Sequence, residues 1–320
     1  MKLAPIILFV YNRKWHTEKT IKALKKNLLA SKSDLFIYSD GPKTDKVFNE
    51  VQETREYLKS IRGFKTITII EKKKNLGLAK SIIGGVTEII NKYGKAIILE
   101  DDLITSPYFL NFMNSALEHY KKVEKVWHIS GWSYPISLKN KSDIYLSRTM
   151  NCWGWGTWAN NWQFYQKNTE KFINKFSTDD IKRFNLDGAT NIFWNQVLLN
   201  HKKKIDTWAI YWYASIFVNN GLCLNPSKSF VKNIGFDGSG NHTFDIYYKD
   251  NIILNKKKKI NFNILIIEDD KILKKIKIYF RLTKKNFFLK LLNKVIFFKK
   301  FIQKKLKFLI LRSKCLLNNQ

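Results

Sequence analysis

The sequence predicts an α/β fold in which a mostly parallel sheet is flanked by helices. Through residues 1–100, short apolar runs typical of buried strands alternate with segments whose apolar residues recur at helical spacing. The turns between these segments are short, and polar residues follow each of the strand runs. Strand–helix alternation of this kind implies parallel strands that are covered by helices on both faces of the sheet.

The elements follow one another in a regular order. The predicted strands are the runs APIILFVYN, DLFIYSDG, KTITII and KAIILE. The predicted helices between them are TEKTIKALKKNLLA, TDKVFNEVQETREYLKSI and LAKSIIGGVTEIINKYG. Thr44 is a candidate N-cap of the second helix, and Gly94 ends the third.

Polar residues gather where these strands end. Tyr11–Arg13 end the first strand, Asp40 ends the second, Asn75 follows the third and Glu100–Asp102 end the fourth. Ordinary loop polarity explains one such position better than it explains four. Because ligands of parallel α/β sheets bind beyond the carboxyl ends of the strands, the pattern predicts a nucleotide-binding edge. The absence of GxGxxG after the first strand, and of a P-loop motif anywhere, excludes the two commonest Gly-rich phosphate sites.

The three successive carboxylates at the end of the fourth strand need a partner, since like charges repel one another and are costly near a core. Mg²⁺ or Mn²⁺ commonly binds one or two carboxylates together with substrate phosphates, so the triplet predicts a bound divalent cation that offsets the repulsion. On a strand end, Glu100 and Asp102 would point to one face and Asp101 to the other. A helix beginning near Ser106 would favour an acid at its start, but it explains only one of the three.

The stretch IILEDDLITSPYFLNFM resembles the Glu-Asp-Asp signature of metal-dependent GT-A glycosyltransferases. The likeness is greatest to N-acetylglucosaminyltransferase I and to bacterial enzymes that build surface polysaccharides. IILFVYNR, LFIYSDG and NLGLAKSI lie at the matching places before it, and CWGWGTWANNW and NIGFDGSGNHT after it. The resemblance covers roughly residues 4–245 and implies a GT-A fold that uses a UDP-sugar.

The resemblance also implies roles for individual residues. Asp102, the last acid of the triplet, would ligate Mn²⁺ or Mg²⁺, and Asp40 would bond the uracil or the ribose. The segment 233–243 resembles a late loop that closes over the donor, where His242 would touch the diphosphate or the metal. The donor-binding residues expected in this way are Tyr11, Asn12, Arg13, Asp40, Asn75, Glu100, Asp101 and His242.

The second half of the chain is rich in tryptophan: seven of the ten lie between Trp153 and Trp212. Flat aromatic faces suit sugar rings, and the glycines of WGWGTW leave room between the indoles. We therefore expect Trp153 and Trp155 to lie near the acceptor or donor sugar, and Trp158 and Trp162 to fill the core.

The catalytic base is not marked by the motif. The resembled enzymes place an acid directly after a tryptophan in this half, whereas Asn195 and Ala209 occupy the corresponding positions here. The candidate bases are Asp206, which precedes the aromatic run TWAIYW, and Asp237 in the late loop.

Positive charge is distributed unevenly along the chain. Of a net charge of +31, residues 251–320 contribute +17, from 20 Lys/Arg and 3 Asp/Glu. Between Phe288 and Leu309 the apolar residues recur at helical spacing, which suits a helix lying in an anionic membrane interface. Packing on the main domain and a nucleic-acid-binding arm are the alternatives. We predict a nucleotide-sugar half at 1–125, an acceptor half at 126–249, and a separable basic amphipathic tail at 250–320.

The composition sets the expected compartment. The three cysteines, Cys152, Cys223 and Cys315, are scattered and odd in number, which favours a reducing environment. No signal peptide and no run of 18 apolar residues is visible. We expect a cytoplasmic protein that is peripheral on the inner face of the membrane.

These observations predict an inverting, metal-dependent glycosyltransferase. It would move a sugar from a UDP-sugar to a hydroxyl of a growing surface glycan of the lipopolysaccharide or capsule type, with a lipid-linked acceptor and no nucleic-acid partner. One alternative is a sugar-phosphate nucleotidyltransferase, although YNRKWHT lacks the glycine that its phosphate loop needs. The other is a non-enzymatic protein that binds a membrane or nucleic acid through its basic surface.

Overall fold

The computed structural model describes residues 2–138, 142–239 and 252–283. Its strands are β1 (Ile6–Val10), β2 (Asp34–Ser39), β3 (Thr66–Glu71), β4 (Lys95–Glu100), β5 (Leu103–Thr105), β6 (Val126–Ser130), β7 (Ile144–Ser147), β8 (Trp155–Trp158), β9 (Leu222–Pro226) and β10 (Val231–Asn233). Its helices are α1 (Lys14–Lys25), α2 (Phe48–Lys59), α3 (Leu78–Tyr93), α4 (Phe109–His119), α5 (Ala159–Trp162), α6 (Thr169–Lys175), α7 (Thr178–Phe184), α8 (Ile192–His201), α9 (Ala209–Val218) and α10 (270–283, the described part).

One eight-stranded sheet organises these elements, in the order β3-β2-β1-β4-β8-β6-β9-β7. The first four strands are all parallel, and their register aligns Val10 with Ser39 and Phe9 with Glu100. The predicted α/β fold with a parallel sheet is therefore confirmed in this half. Beyond β4 the sheet is mixed, because β8 runs antiparallel to both β4 and β6.

Alternate residues of the parallel strands build two separate cores. Ile6 and Leu8 of β1 face helices α1 and α4, whereas Ile7 and Phe9 face helix α3. Both faces are covered, so the strands read as continuous apolar runs without polar alternation. The end of β4 is therefore held between two packed layers.

Five of the ten tryptophans extend the core on the α3 side. Trp155 is 1% exposed and stacks on Trp208 with ring centroids 5.1 Å apart. Trp158 and Trp162 are buried, as the sequence predicts. The prediction that Trp155 faces a sugar is corrected by this burial, because the indole has no free face, and we assign it a packing role.

The segment from residue 252 onward packs on the domain that precedes it. Residues 252–268, which we call the strap, have no regular secondary structure and pack on the domain. The carbonyl of Asn255 accepts a hydrogen bond from the Ser106 hydroxyl at 2.5 Å, and the Tyr120 hydroxyl donates to the carbonyl of Phe262 at 2.7 Å. Glu268 then binds the Arg148 guanidinium through both carboxylate oxygens. These contacts place the beginning of the predicted tail within the folded unit.

Helix α10 completes a third core. Ile272, Ile276 and Phe280 are buried there against Trp132, Tyr134 and Leu186. The predicted boundary at residue 250 therefore does not separate an independent tail. The predicted amphipathic helix between Phe288 and Leu309 lies outside the described residues. Within residues 2–138, 142–239 and 252–283, none of the helices combines the length and the apolar character that crossing a bilayer requires.

Candidate functional site

The carboxyl ends of β1, β2 and β4 meet at one edge of the sheet, where the sequence predicted a binding site. Strand β4 ends at Glu100, and Asp101 and Asp102 lie in the turn that follows. The strand alternation predicted for the triplet therefore stops at Glu100. As a result, Asp101 and Asp102 approach the same partner instead of pointing to opposite faces.

That partner is Arg13, which lies at the start of α1. Its Nη2 binds Asp101 Oδ1 and lies 2.8 Å from Asp102 Oδ2. Burial raises the pKa of Asp101 to about 6, and the neighbouring guanidinium opposes that shift. In the described protein the repulsion within the triplet is thus offset by Arg13, a residue 88 positions away in sequence, whereas the sequence had predicted a metal in that role.

Glu100 is the member of the triplet that Arg13 does not touch. Its carboxyl group makes no hydrogen bond within the described part of the chain, and it is partly exposed. Burial, together with the charges of Asp102 and Asp101, raises the pKa of Glu100 to about 8. Within the described residues the Glu100 carboxyl group is therefore available to hydrogen-bond a hydroxyl, as a ribose or sugar contact requires.

A buried threonine fixes the turn from below. Thr20 Oγ1 donates to the carbonyl of Asp101 at 2.7 Å and accepts from the amide of Leu103 at 3.1 Å. Helix α1 therefore holds the acidic turn through Thr20 and through Arg13. Sequence reasoning missed Thr20, because a threonine inside a helix gives no local signal of such a contact.

Asp40 and Asn75 shape the loops on the nucleotide side of the edge. The Asp40 carboxylate accepts the amide hydrogens of Leu76 at 2.8 Å and Gly77 at 2.9 Å, and it is 7% exposed. Asn75 donates to the carbonyl of Gly41 at 2.8 Å. Both side chains thus clasp the loops after β2 and β3 together. This arrangement shows a loop-organising role for them; a direct bond from Asp40 to uracil or ribose stays a prediction.

Tyr11 and Asn12, which follow the first strand, differ in their contacts. The Tyr11 hydroxyl accepts the amide hydrogen of Lys43 at 3.0 Å, which ties the β1 loop to the loop after β2. Asn12 is partly exposed beside it. Both residues lie at the edge where a nucleotide was predicted.

The late loop lies directly over the acidic turn. Strand β10 pairs with β5, and the amide of Ile234 donates to the carbonyl of Asp102 at 2.9 Å. A Cβ atom at Gly235 would overlap Asp102 Oδ2 and lie 2.9 Å from its Cγ. Only glycine allows the loop to approach the carboxylate this closely.

A second contact fastens the late loop to α1. His16 Nε2 lies 3.0 Å from Asp237 Oδ2, and Ser239 donates to Asp237 Oδ1 at 2.7 Å. The Ser239 hydrogen bonds and the nearby His16 lower the pKa of Asp237 to about 2. Sequence reasoning named Asp237 but missed His16, which is 5% exposed. His242 lies outside the described residues.

The two remaining predicted positions differ in where they lie. Trp153 is partly exposed. Its ring makes edge contacts with Trp132, at a centroid distance of 4.9 Å, and with Phe236 of the late loop, at a centroid distance of 5.6 Å. Asp206 is 62% exposed and pairs with Lys167 on the surface. No contact within the described ranges joins Asp206 to the triplet, whereas Trp153 touches the loop that covers it.

The donor set at the turn suits a divalent cation that takes most of its ligands from substrate. No group of three His, Cys, Asp or Glu side chains in the described part of the chain could enclose a metal ion. Asp102 Oδ1 makes no hydrogen bond there, and the Asp102 side chain is 13% exposed. Mg²⁺ and Mn²⁺ commonly bind one or two protein carboxylates and take their other ligands from substrate phosphates and water.

Comparison with known proteins gives distant likenesses. No family model and no curated protein matches the chain. Among solved structures, it is similar to S. aureus TarS 1–349 in complex with UDP-GlcNAc, with 10% identity, a TM-score of 0.38, and coverage of 72% of this chain and 58% of that chain. It is also similar to the mannosyltransferase PcManGT from Pyrobaculum calidifontis in complex with GDP-Man and Mn²⁺, with 15% identity, a TM-score of 0.30, and coverage of 41% and 36%.

These matches span about a third to three fifths of the length of the solved chains. The assignments made in this site rest on its own geometry.

Gly235→Ala should reduce the proposed sugar transfer at least tenfold while the fold is kept. The added methyl group overlaps Asp102 Oδ2, so either the late loop or the carboxylate must move. Turnover and the thermal melting curve would be measured together. Gly84→Ala is the matched control, since a Cβ at this exposed position of α3 meets nothing within 4 Å. Full activity of Gly235→Ala would show that the contact between loop and turn is dispensable.

Proposed function

We propose that this protein is an inverting glycosyltransferase that moves a sugar from a UDP-sugar to a hydroxyl of a surface glycan. The observation that carries the proposal is the acidic turn after β4, which is held by α1 and covered by the late loop at the carboxyl edge of a parallel sheet. Such an edge is where α/β folds bind nucleotides.

In this proposal each group has a chemical task. The loops held together by Asp40 and Asn75 bind the nucleoside, and Glu100 hydrogen-bonds a hydroxyl of the ribose or the donor sugar. A cation bound at Asp102 would supply Lewis-acid neutralisation of the diphosphate. A carboxylate removes the proton from the acceptor hydroxyl, whose oxygen bonds to the anomeric carbon as the diphosphate leaves with its electron pair.

The acceptor side is proposed to include Trp153, whose partly exposed ring adjoins the late loop. We further propose that the acceptor is lipid-linked and that the protein works on the inner face of the cell membrane. The net charge of +31 supports this, as do Ile278 and Leu282 of α10, which are 45% and 54% exposed beside basic residues. Vesicle co-sedimentation with and without anionic lipid would test this part of the proposal.

A panel of sugar donors tests the function itself. UDP-, GDP-, CMP- and dTDP-sugars would be incubated with the full chain, with and without Mn²⁺, while nucleotide release is followed. We expect release from UDP-sugars that depends on the cation. Pyrophosphate release from a nucleoside triphosphate and a sugar phosphate would instead identify a nucleotidyltransferase, and no release from any donor would reject the proposal.

The two candidate bases can be separated by matched variants. Asp237 lies two residues beyond Gly235, whereas Asp206 is paired with Lys167 away from the turn. We therefore expect Asp237→Asn to lower kcat at least tenfold and Asp206→Asn to change it less than about twofold. Collapse of turnover in Asp206→Asn alone, with unchanged donor KM and melting temperature, would return the role of base to Asp206.

A further inference from the structure

Arg13 is bound to the acidic turn in an unusual way. The guanidinium reaches both Asp101 and Asp102 through one nitrogen, Nη2. Its Nε and Nη1 atoms make no hydrogen bond within the described residues, and the side chain is 19% exposed. A guanidinium has five N–H donors, so most of this group's capacity is unused.

Arg13 lies beside the place where a cation would bind. Asp102 Oδ2 already faces Nη2 at 2.8 Å. A divalent ion at the same carboxylate would stand close to the guanidinium, and like charges at a few ångströms repel strongly in a partly buried site. Without an anion between them, the two cations therefore compete for Asp102.

A nucleotide diphosphate would remove this competition. Its oxygens carry negative charge, which attracts both the guanidinium and the divalent cation. The planar guanidinium also matches the geometry of phosphate oxygens well. The unused Nε and Nη1 edge of Arg13 is the part of the group that remains available for such a contact.

We propose that Arg13 is a resident counter-ion that holds Asp102 in the ligand-free protein and yields it to the divalent cation only when a nucleotide diphosphate binds. This inference rests on the proposed function for the identity of the ligands. It makes the binding of cation and nucleotide mutually dependent: each raises the affinity for the other by the same factor. It also sets an order, because a cation that arrives alone meets the guanidinium charge beside the free Asp102 Oδ1.

The test measures Mn²⁺ binding directly, by the loss of the free-ion signal in electron paramagnetic resonance. For the full-length protein we expect weak Mn²⁺ binding alone and at least tenfold tighter binding with saturating UDP. Arg13→Met should bind Mn²⁺ at least tenfold more tightly than the parent chain without UDP, and UDP should then add little. Lys14→Met is the matched control, since it removes one positive charge at the next, exposed position.

Three outcomes would overturn the inference. One is unchanged or weaker Mn²⁺ binding by Arg13→Met, another is an equal gain in Lys14→Met, and the third is undiminished coupling to UDP after Arg13 is removed. Should Arg13→Met fail to give a cooperative melting curve, Arg13→Gln serves the same test, because the amide keeps a donor for Asp101 without the charge.

If the tighter Mn²⁺ binding of Arg13→Met is lost when Asp102→Asn is added, the ion binds at Asp102. None of these readouts requires turnover. If no donor releases nucleotide but Arg13→Met binds Mn²⁺ more tightly, the transferase function is rejected and the counter-ion role is kept. If a donor releases nucleotide but Arg13→Met leaves Mn²⁺ binding unchanged, the counter-ion role is rejected and the transferase function is kept.

Discussion

A chain ending at Lys249 is expected not to fold. Such a truncation removes the strap and α10, and with them Ile272, Ile276 and Phe280 from the third core. Each buried side chain of this size contributes about 2–5 kcal/mol, and a whole domain is stable by only about 5–15 kcal/mol. Circular dichroism and size-exclusion chromatography would show an aggregated or unfolded product.

Matched variants on one helix make the same point without a truncation. Ile276 is fully buried and Ile278 is 45% exposed. Ile276→Ala should cost about 2–5 kcal/mol in the free energy of unfolding, and Ile278→Ala about 0.5 kcal/mol or less. Urea denaturation measures both. A soluble, cooperatively melting chain that ends at Lys249 would restore the separable tail that the sequence predicted.

The acidic turn gives the second large effect. Asp102→Asn keeps the shape of the side chain but removes the charge that the proposed cation needs, and we expect turnover to fall about a hundredfold or more. Nucleotide release from the UDP-sugar would be compared with that of Asp179→Asn, an exposed acid on α7 that should behave as the parent chain. EDTA should reproduce the loss in the parent chain. An active Asp102→Asn variant, or full activity in EDTA, would remove the cation from the proposal.

The first half of the fold was predictable because its signals are local. A parallel strand that is buried on both faces must be apolar at every position, so runs such as IILFV identify themselves. The strap gives no such signal. Ile264 and Ile266 pack inward, while Leu265 and Ile267 are 77% and 62% exposed, so the apolar pattern does not distinguish the inner from the outer side.

The candidate site was predictable in its location but not in its internal pairing. The strand ends marked the edge, and the Glu-Asp-Asp run marked the turn. The bond between Arg13 and Asp102 joins residues 89 apart, and that of His16 with Asp237 joins the first helix to the late loop. Charges that meet through the tertiary fold leave no periodic pattern in the chain, so a single sequence does not disclose which acid has which partner.

The strap also determines when folding can be completed during synthesis of the protein. Its bond to Ser106 closes an interval of 149 residues, which a ribosome takes on the order of ten seconds to translate. Until Phe262 arrives, the rings of Phe112 and His119 on the nascent chain have no cover from it. Contacts so distant in sequence also slow the folding search itself. We therefore expect a newborn chain of this protein to expose apolar surface for seconds, which is long enough for chaperones to bind it or for neighbouring nascent chains to aggregate with it.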